Sequence, residues 1–187
     1  MAKKYNQPEL AAYNLKIAKD KYMQGFRAED LIWYRPEHTK YEYKKPYGKV
    51  FPTTGMAAFR NTWKFNDGAY AALLSDDNAV NHSNFDIGTF VYDALGERWA
   101  RDFGRDSYGL PGYFRDERLT YYRIRTEGQN CIVINPDMSV GQENASGKIE
   151  KYEQNRQGGY TVTDMAPAYK KYVNKAKRGM KFYAQSG

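Results

Sequence analysis

A chain of 187 residues with 41% hydrophobic residues is long enough to bury the core of one ordinary domain, and its composition excludes disorder along the whole length. Its single cysteine, Cys131, excludes an intramolecular disulfide and any zinc site built from several cysteines. The formal net charge of +7 favours a polyanionic partner, which could be an acidic polysaccharide, a nucleic acid or an anionic membrane surface.

Residues 1–47 are predicted to form a helical segment followed by a linker. Apolar residues recur at roughly helical spacing over residues 8–23, and Pro8 suits the first turn of a helix. A short aromatic and apolar patch follows at residues 31–34. No signal peptide opens the chain, and no apolar run approaches the length of a membrane-spanning helix, so no membrane insertion is expected.

From residue 48 onward, short runs of strand-forming residues alternate with Gly, Pro, Asn and Asp. This spacing is typical of an antiparallel β architecture, and it favours a sandwich over a barrel. Residues 48–187 are therefore predicted to form a β-sandwich domain. The predicted strands are residues 51–56, 57–63, 69–74, 88–94, 97–103, 119–125, 131–134, 160–162 and 178–182. The polar residues 142–159 are predicted to form an extended hairpin or a surface excursion.

Two polar motifs lie among these strands. In the first, His82 lies in a loop of small polar residues that leads into a hairpin turning at Leu95 and Gly96, with an Asp-x-Gly at Asp102 behind it. The second follows about twenty residues later, and its residues are Tyr121, Tyr122, Arg123, Glu127, Gly128, Gln129, Asn130, Ile134, Asn135 and Pro136.

In their order and separation, these motifs resemble the heparinase II/III family of polysaccharide lyases. The family carries a His-x-His-x-x-Asp-x-Gly-Ser-Phe-like segment followed by a strand and an Asp-x-Gly, which residues 82–90 and 102–104 resemble. The resemblance implies an antiparallel β-sandwich preceded by an α/α toroid, of which residues 1–47 would be the tail. It also implies a fragment or reduced relative with a sandwich truncated at its C-terminus, and a periplasmic or extracellular location.

The chemistry implied by the resemblance is β-elimination on an acidic, uronate-containing glycan, such as a glycosaminoglycan or an alginate-like polymer. His82 matches the histidine that the β domain contributes to catalysis, and imidazole exchanges protons near neutral pH. Arg60, Tyr108 and Arg123 are candidates for binding the polyanion. Because the toroid supplies further catalytic groups in the family, this chain alone is expected to be weakly active or inactive.

In many members of the family, zinc is bound at the positions that match Asn84, Asp102 and Gln129. Amides are poor zinc ligands, so the resemblance with these departures predicts that no metal cofactor is bound. Asn84, Asp86, Asp102 and Gln129 are expected to form a supporting site. Within it, hydrogen bonds would join the two amides to Asp102.

The sequence is also consistent with other roles for the chain and for some of these residues. The chain could be a non-catalytic module that binds acidic glycans after losing its metal site. Arg60 could be a cation that packs over Trp63 on an edge strand. Residues 106–118 could form one wall of a sugar cleft with Tyr108, Tyr113 and Phe114. No RNP-like, KH or zinc-finger pattern supports nucleic-acid binding, and the oligomeric state lies beyond the sequence.

Overall fold

The computed structural model describes residues 6–19, 46–63, 68–136, 139–155 and 157–184. The chain divides into two compact units, Met1–Lys45 and Pro46–Gly187. The candidate site lies entirely in the second unit.

In the first unit, helix α1 spans Pro8–Lys19. It begins at the predicted proline, and Glu9 in its first turn has the charge sign that stabilises a helix N-terminus. The predicted continuation to residue 23 and the patch at residues 31–34 lie outside the described residues. Among the described residues, no helix combines the length and apolar composition needed to cross a membrane.

The second unit contains two antiparallel sheets, which confirms the predicted mainly β fold. The first sheet has five strands in the order β1-β2-β3-β4-β5, and the second has the order β6-β7-β8. The strands are β1 (Gly48–Phe51), β2 (Met56–Arg60), β3 (Tyr70–Leu74), β4 (Phe90–Ala94), β5 (Glu97–Ala100), β6 (Lys148–Asn155), β7 (Gly158–Asp164) and β8 (Lys177–Tyr183).

The core between the sheets follows from the two-residue period of the strands. Every second residue of β2 and β3 is buried, so one face of the first sheet is apolar. Both sheets contribute to the resulting cluster, which contains Val50, Ala57, Phe59, Ala71, Ile149 and Phe182. Phe59 and Phe182 stack across it with their ring centroids 6.3 Å apart. Burying each ring contributes about 2–3 kcal/mol.

The hairpin of β4 and β5 turns at Leu95 and Gly96, as predicted. Both residues have positive φ, +57° and +79°, the conformation of a type I′ turn whose twist matches the strands it joins. The Leu95 side chain is 91% exposed, and Trp99 on β5 is 65% exposed. The hairpin tip therefore lies outside the apolar core.

Three predicted strands are wrong or displaced. Half of residues 51–56 form a 3-10 turn at Pro52–Thr54, because Pro52 has no N–H to donate to a ladder. In residues 119–125, the first two residues end the 3-10 segment Asp116–Thr120, and the other five form turns and bends before the 3-10 segment Thr126–Gly128. Residues 131–134 have no strand partner in the described chain.

The predicted extended hairpin is confirmed only for the later part of the segment 142–159, which contains β6 and the first residues of β7, whereas residues 142–147 belong to neither strand. Residues Lys148–Asn155 are β6, which pairs with β7 and shifts register between Ile149 and Lys151. Its first residue, Gln142, is buried, although the run is polar. This side chain becomes important at the candidate site.

Candidate functional site

The loop between β3 and β4, residues 75–89, carries the predicted catalytic histidine. Phe85 and Ile87 are both buried, and they enter two different apolar clusters. Since these alternate residues anchor the loop in the core, the intervening Asn84 and Asp86 remain half-buried at its surface. The order of apolar and polar residues thus creates a polar surface fixed from beneath.

His82 lies at a tight turn of this loop, with φ of +66°. A left-handed conformation costs a non-glycine residue about 1–2 kcal/mol and needs support from its surroundings. Ser83 supplies support, because its Oγ shares its single proton between the carbonyl oxygens of Val80 (2.6 Å) and Asn78 (2.7 Å). The His82 side chain is exposed, and the structure records no hydrogen bond for its imidazole among the described residues. Its nitrogens are therefore accessible to a ligand.

Arg118 joins this loop to the aromatic residues that follow the hairpin. Its Nη2 donates to the carbonyl oxygen of Ser83 (2.5 Å) and to Oδ1 of Asn84 (3.1 Å). Its guanidinium carbon lies 5.7 Å from the ring centre of Tyr113, which is buried in the same cluster as Phe85. Arg118 is not among the site residues predicted from the sequence, because the position of an arginine in the chain does not indicate its hydrogen-bond partner.

Asp86 and Asp102 bring two carboxylates into one electrostatic neighbourhood. The pKa of the Asp86 carboxyl is raised to about 6, first by burial and then by the negative charges of Asp102 and Asp76. Oδ1 of Asp102 accepts a hydrogen bond from the N–H of Gly104, which closes the turn after the hairpin. Asp86 therefore exchanges a proton near neutral pH.

Cys131 lies beside these acids and is half-buried. Its Sγ donates to the carbonyl oxygen of Ile87 at 3.6 Å. Burial raises the pKa of the thiol to about 12, and the opposing influence of the Arg178 charge is smaller. The thiol stays protonated at neutral pH, so it is a packing group and a weak donor.

Gln129 and Arg123 hold the segment after β5 in place. Gln129 is 7% exposed, and its Nε2 donates to the carbonyl oxygen of Arg123 at 2.6 Å. Arg123 Nη1 donates to the carbonyl oxygens of Phe103 (3.0 Å) and Arg105 (3.3 Å), and its Nε lies 3.4 Å from Asp106 Oδ1. Arg123, a predicted substrate-binding residue, thus makes its hydrogen bonds and its ion pair with the segment after β5.

The predicted hydrogen-bond network among Asn84, Gln129 and Asp102 does not form. Asn84 accepts from a guanidinium, Gln129 donates to a backbone carbonyl, and Asp102 accepts from the backbone two residues on. Gln129 Oε1 is buried and has no hydrogen-bond partner among the described residues.

These three positions also do not fit a zinc ion. Zinc prefers imidazole and thiolate ligands, and here two of the three side chains are neutral amides. The oxygen of Asn84 is already bound to the cationic group of Arg118. Nor does the described part of the chain place three or more His, Cys, Asp and Glu side chains so that they could hold a metal ion.

Tyr108, Tyr113 and Phe114 lie together, as the sugar-cleft interpretation requires. The ring centroid of Tyr108 is 5.3 Å from that of Tyr113 and 5.3 Å from that of Phe114. Tyr113 is buried beneath, whereas Tyr108 is 45% and Phe114 is 70% exposed. The guanidinium carbon of Arg105 lies 4.4 Å from the centre of the Tyr108 ring. Together, Tyr108, Phe114 and Arg105 form a surface called here the aromatic platform.

Arg60 lies away from this group. Its guanidinium carbon is 4.2 Å from the ring centre of Trp63 and 5.4 Å from that of Tyr70, its neighbour on β3. Tyr70 and Leu74 are at opposite ends of β3, and the loop 75–89 follows Leu74. At about 3.3 Å per residue, Arg60 is about 13 Å from that loop along the strand. The arrangement matches the alternative interpretation in the cation packed over an aromatic ring, but the expected edge strand is wrong, because β2 lies between β1 and β3.

Gln142 is a second residue that the sequence analysis missed. It is 2% exposed, and its Nε2 donates to the carbonyl oxygen of Ile87 (2.9 Å) and to the hydroxyl of Tyr169 (2.9 Å). Its Oε1 accepts from the N–H of Ile87 (3.0 Å) and from Nδ2 of Asn78 (3.2 Å). The side chain thus pairs with Ile87 as a neighbouring strand would.

Comparison with known proteins identifies the fold. No family model and no curated protein matches the chain. Solved structures similar to it include a heparinase III gene product (21% identity, TM-score 0.63, 79% of this chain and 22% of that chain) and a second heparinase III (22%, 0.59, 76% and 21%). The heparan sulfate lyase HepC from Pedobacter heparinus is also similar (17%, 0.61, 84% and 23%). The fold is heparinase-like.

This likeness confirms the fold expected from the resemblance. The chain spans about a fifth of the length of the solved structures that it matches. At 17–22% identity the similarity concerns the fold alone, so the activity of those lyases enters only as a proposal for this chain.

Proposed function

We propose that this chain is the β-sandwich part of a polysaccharide lyase that cleaves an acidic, uronate-containing glycan by β-elimination. One observation supports this most directly: Arg118 connects the exposed turn of His82 to the cluster that underlies the aromatic platform. One arginine therefore links the turn that carries His82 to the base of the aromatic platform on a heparinase-like fold.

The reaction would use His82 as an acid or base. In β-elimination, a base removes the proton from the carbon beside the uronate carboxylate. The electron pair left behind forms a carbon–carbon double bond, while the bond to the glycosyl oxygen breaks and that oxygen takes up a proton. Imidazole suits either proton transfer near neutral pH. The carboxylate must be neutralised as charge moves onto it, and the remaining groups would come from a toroid.

The aromatic platform would bind the glycan. Exposed faces of Tyr108 and Phe114 can pack against the apolar faces of sugar rings, and Arg105 adds a positive charge beside them. Arg123 would contribute by fixing the loop that carries Arg105. We assign Asn84, Asp86, Asp102 and Gln129 a supporting role in holding this surface and the His82 turn.

The proposed partner is an acidic polysaccharide, and the proposed location is extracellular or periplasmic. The net charge of +7 is complementary to an acidic polysaccharide, which we favour over nucleic acid. An extracellular or periplasmic location follows from the substrate class. No step of the proposed reaction uses a metal.

Ultraviolet absorbance tests this function, because β-elimination creates a conjugated unsaturated uronate that absorbs strongly. In a protein that joins this chain to the toroid that the reaction requires, we expect absorbance to grow with acidic polysaccharides and His82→Ala to slow it about 100-fold or more, with binding changed less than about threefold. The chain without the toroid should show little or no growth of absorbance. The matched control is His38→Ala, which changes the other histidine of the chain and should leave the rate unaltered. Equal rates for His82→Ala and the parent chain would exclude His82 from catalysis.

The second candidate is a non-catalytic module that binds acidic glycans. The amides at positions 84 and 129 favour it, because both are engaged in holding loops rather than in binding a metal. It predicts binding to the same polysaccharides without growth of absorbance. Under this alternative His82→Ala changes neither measurement, whereas Phe114→Ala weakens binding.

A further inference from the structure

Two irregular segments meet beneath the candidate site. Residues 86–90 lead into β4, and residues 129–132 follow the 3-10 turn at Thr126–Gly128. In the part of the chain that the structure describes, no strand ladder pairs one segment with the other. Their relative position must therefore be fixed by side chains, and a surface built on both depends on that connection.

Arg178 supplies one connection from the opposite sheet. It lies on β8, and its Nη1 donates to the carbonyl oxygens of both Gly88 and Asn130. Its guanidinium carbon is 5.4 Å from the centre of the Phe90 ring, so the charge also packs over the start of β4. Hydrogen bonds from an ionised donor are roughly twice as strong as neutral ones.

Asn130 supplies the second connection. Its Nδ2 donates to the carbonyl oxygens of Phe90 (2.8 Å) and Arg101 (3.1 Å), one at the start of β4 and one just after β5. Its own carbonyl oxygen accepts from Arg178. One residue therefore joins the segment 129–132 to both ends of the hairpin and to the second sheet.

We propose that Arg178 and Asn130 form a hydrogen-bonded cross-link that positions the base of the candidate site and takes the place of a metal ion. The residues at positions 84, 102 and 129 do not fit zinc, whereas the cross-link joins the hairpin to the segment that contains position 129. Both residues act through the backbone they hold, so they are positioning residues. The inference concerns this geometry and does not depend on glycan cleavage.

Substitutions of Arg178 distinguish the effect of its hydrogen bonds from the effect of side-chain packing. Arg178→Met keeps an unbranched apolar stem but lacks the guanidinium, so it leaves two carbonyl oxygens without their donor. Arg178→Lys keeps the charge, but a single ammonium lacks the planar fork of the guanidinium, so we expect an intermediate effect. Lys181→Met is the matched control, because Lys181 lies on the same strand and is exposed on its other face.

Metal content and amide hydrogen exchange test the proposal on the whole chain. We expect purified protein to contain far less than one zinc per chain, and a chelator to shift its unfolding midpoint by no more than about 1 °C. Under native conditions, Arg178→Met should speed exchange about tenfold or more in peptides covering residues 86–90 and 129–132. Peptides from β2 should not change, and Lys181→Met should exchange like the parent chain.

Three results would overturn the inference. The first is stoichiometric zinc whose removal lowers the unfolding midpoint. The second is exchange in Arg178→Met that matches Lys181→Met in both segments. If Arg178→Met does not fold, Arg178→Lys takes its place, and exchange equal to the parent chain in both segments is the third. A glycan assay is not needed, so failure of the proposed lyase activity leaves this test unchanged.

Discussion

Between the two sheets, apolar side chains such as Phe59 and Phe182 pack against each other, whereas the loops of the candidate site are also held by polar side chains that bind the backbone. Apolar packing is non-directional and depends mainly on volume. A buried amide must instead place each donor and acceptor correctly, because an unsatisfied buried group costs about 1–3 kcal/mol. The two regions should therefore respond differently to substitutions of similar size.

The largest expected loss of stability follows from replacing Gln142, which holds the loop of the candidate site. Gln142→Leu should lower the free energy of unfolding by about 3–5 kcal/mol, because the N–H of Ile87 loses its buried acceptor and its carbonyl oxygen keeps only the weak thiol donor of Cys131. Phe59→Leu in the sandwich core should cost only about 1–2 kcal/mol. Urea unfolding of both variants measures the difference. A larger loss in Phe59→Leu than in Gln142→Leu would contradict the contrast between the two regions.

Alanine substitutions at two glycines distinguish the cost of backbone strain from the cost of overpacking. Gly88 has φ of +88°, and a Cβ there would lie 2.2 Å from Sδ of Met165. Gly88→Ala should therefore cost about 3 kcal/mol, from left-handed strain plus overpacking. Gly96 has φ of +79° with nothing within 4 Å of its Cβ, so Gly96→Ala should cost about 1 kcal/mol. Thermal unfolding of the two variants provides the check, and equal losses would show that Met165 yields without cost.

The half-buried carboxylate at Asp86 should make stability depend on pH. Its folded pKa of about 6 lies above the ordinary value of 3.8, so the folded state binds the proton more tightly. The parent chain gains stability as pH falls through 6 and completes the gain below about 4. Asp86→Asn lacks this dependence and should be more stable by roughly 2 kcal/mol above pH 7, with the advantage lost in acid.

Unfolding free energies measured across pH 4–8 test this, and Asp102→Asn serves as the comparison variant. Removing Asp102 eliminates the second cause of the raised pKa of Asp86 and leaves burial. It should therefore stabilise the protein less than Asp86→Asn. A parent chain that loses stability as pH falls from 7 to 5 would show the opposite sign at this site.

The smallest expected effect concerns binding and depends on the proposed function. Phe114→Ala removes an exposed ring, so it should weaken binding of an acidic oligosaccharide about fivefold while changing stability by less than about 0.5 kcal/mol. Trp99→Ala is the control, since Trp99 is also exposed but lies on the hairpin of β4 and β5. Calorimetric titration distinguishes the two, and equal affinities would remove Phe114 from the binding surface.

The regular strands and turns of the molecule could be predicted from local properties of the chain. Strand β3 and the hairpin of β4 and β5 were predictable because their apolar spacing and their turn at Leu95 and Gly96 are local properties of the chain. The polar loop around His82 was predictable for the same reason. The same motif contains Asp86 and Asp102, and the negative charge of Asp102 is one cause of the raised pKa of Asp86.

The hydrogen-bond partners of the buried polar side chains could be identified only in the folded chain. Arg178 lies 90 residues from Gly88, and Gln142 lies 55 residues from Ile87, so no local pattern could indicate either pair. Apolar residues at 119–125 suited a strand equally well, but Ile124 became buried in a cluster with Phe85 and Tyr113. Apolar periodicity specifies a buried face in advance, whereas a hydrogen bond requires a partner whose position exists only once the chain has folded.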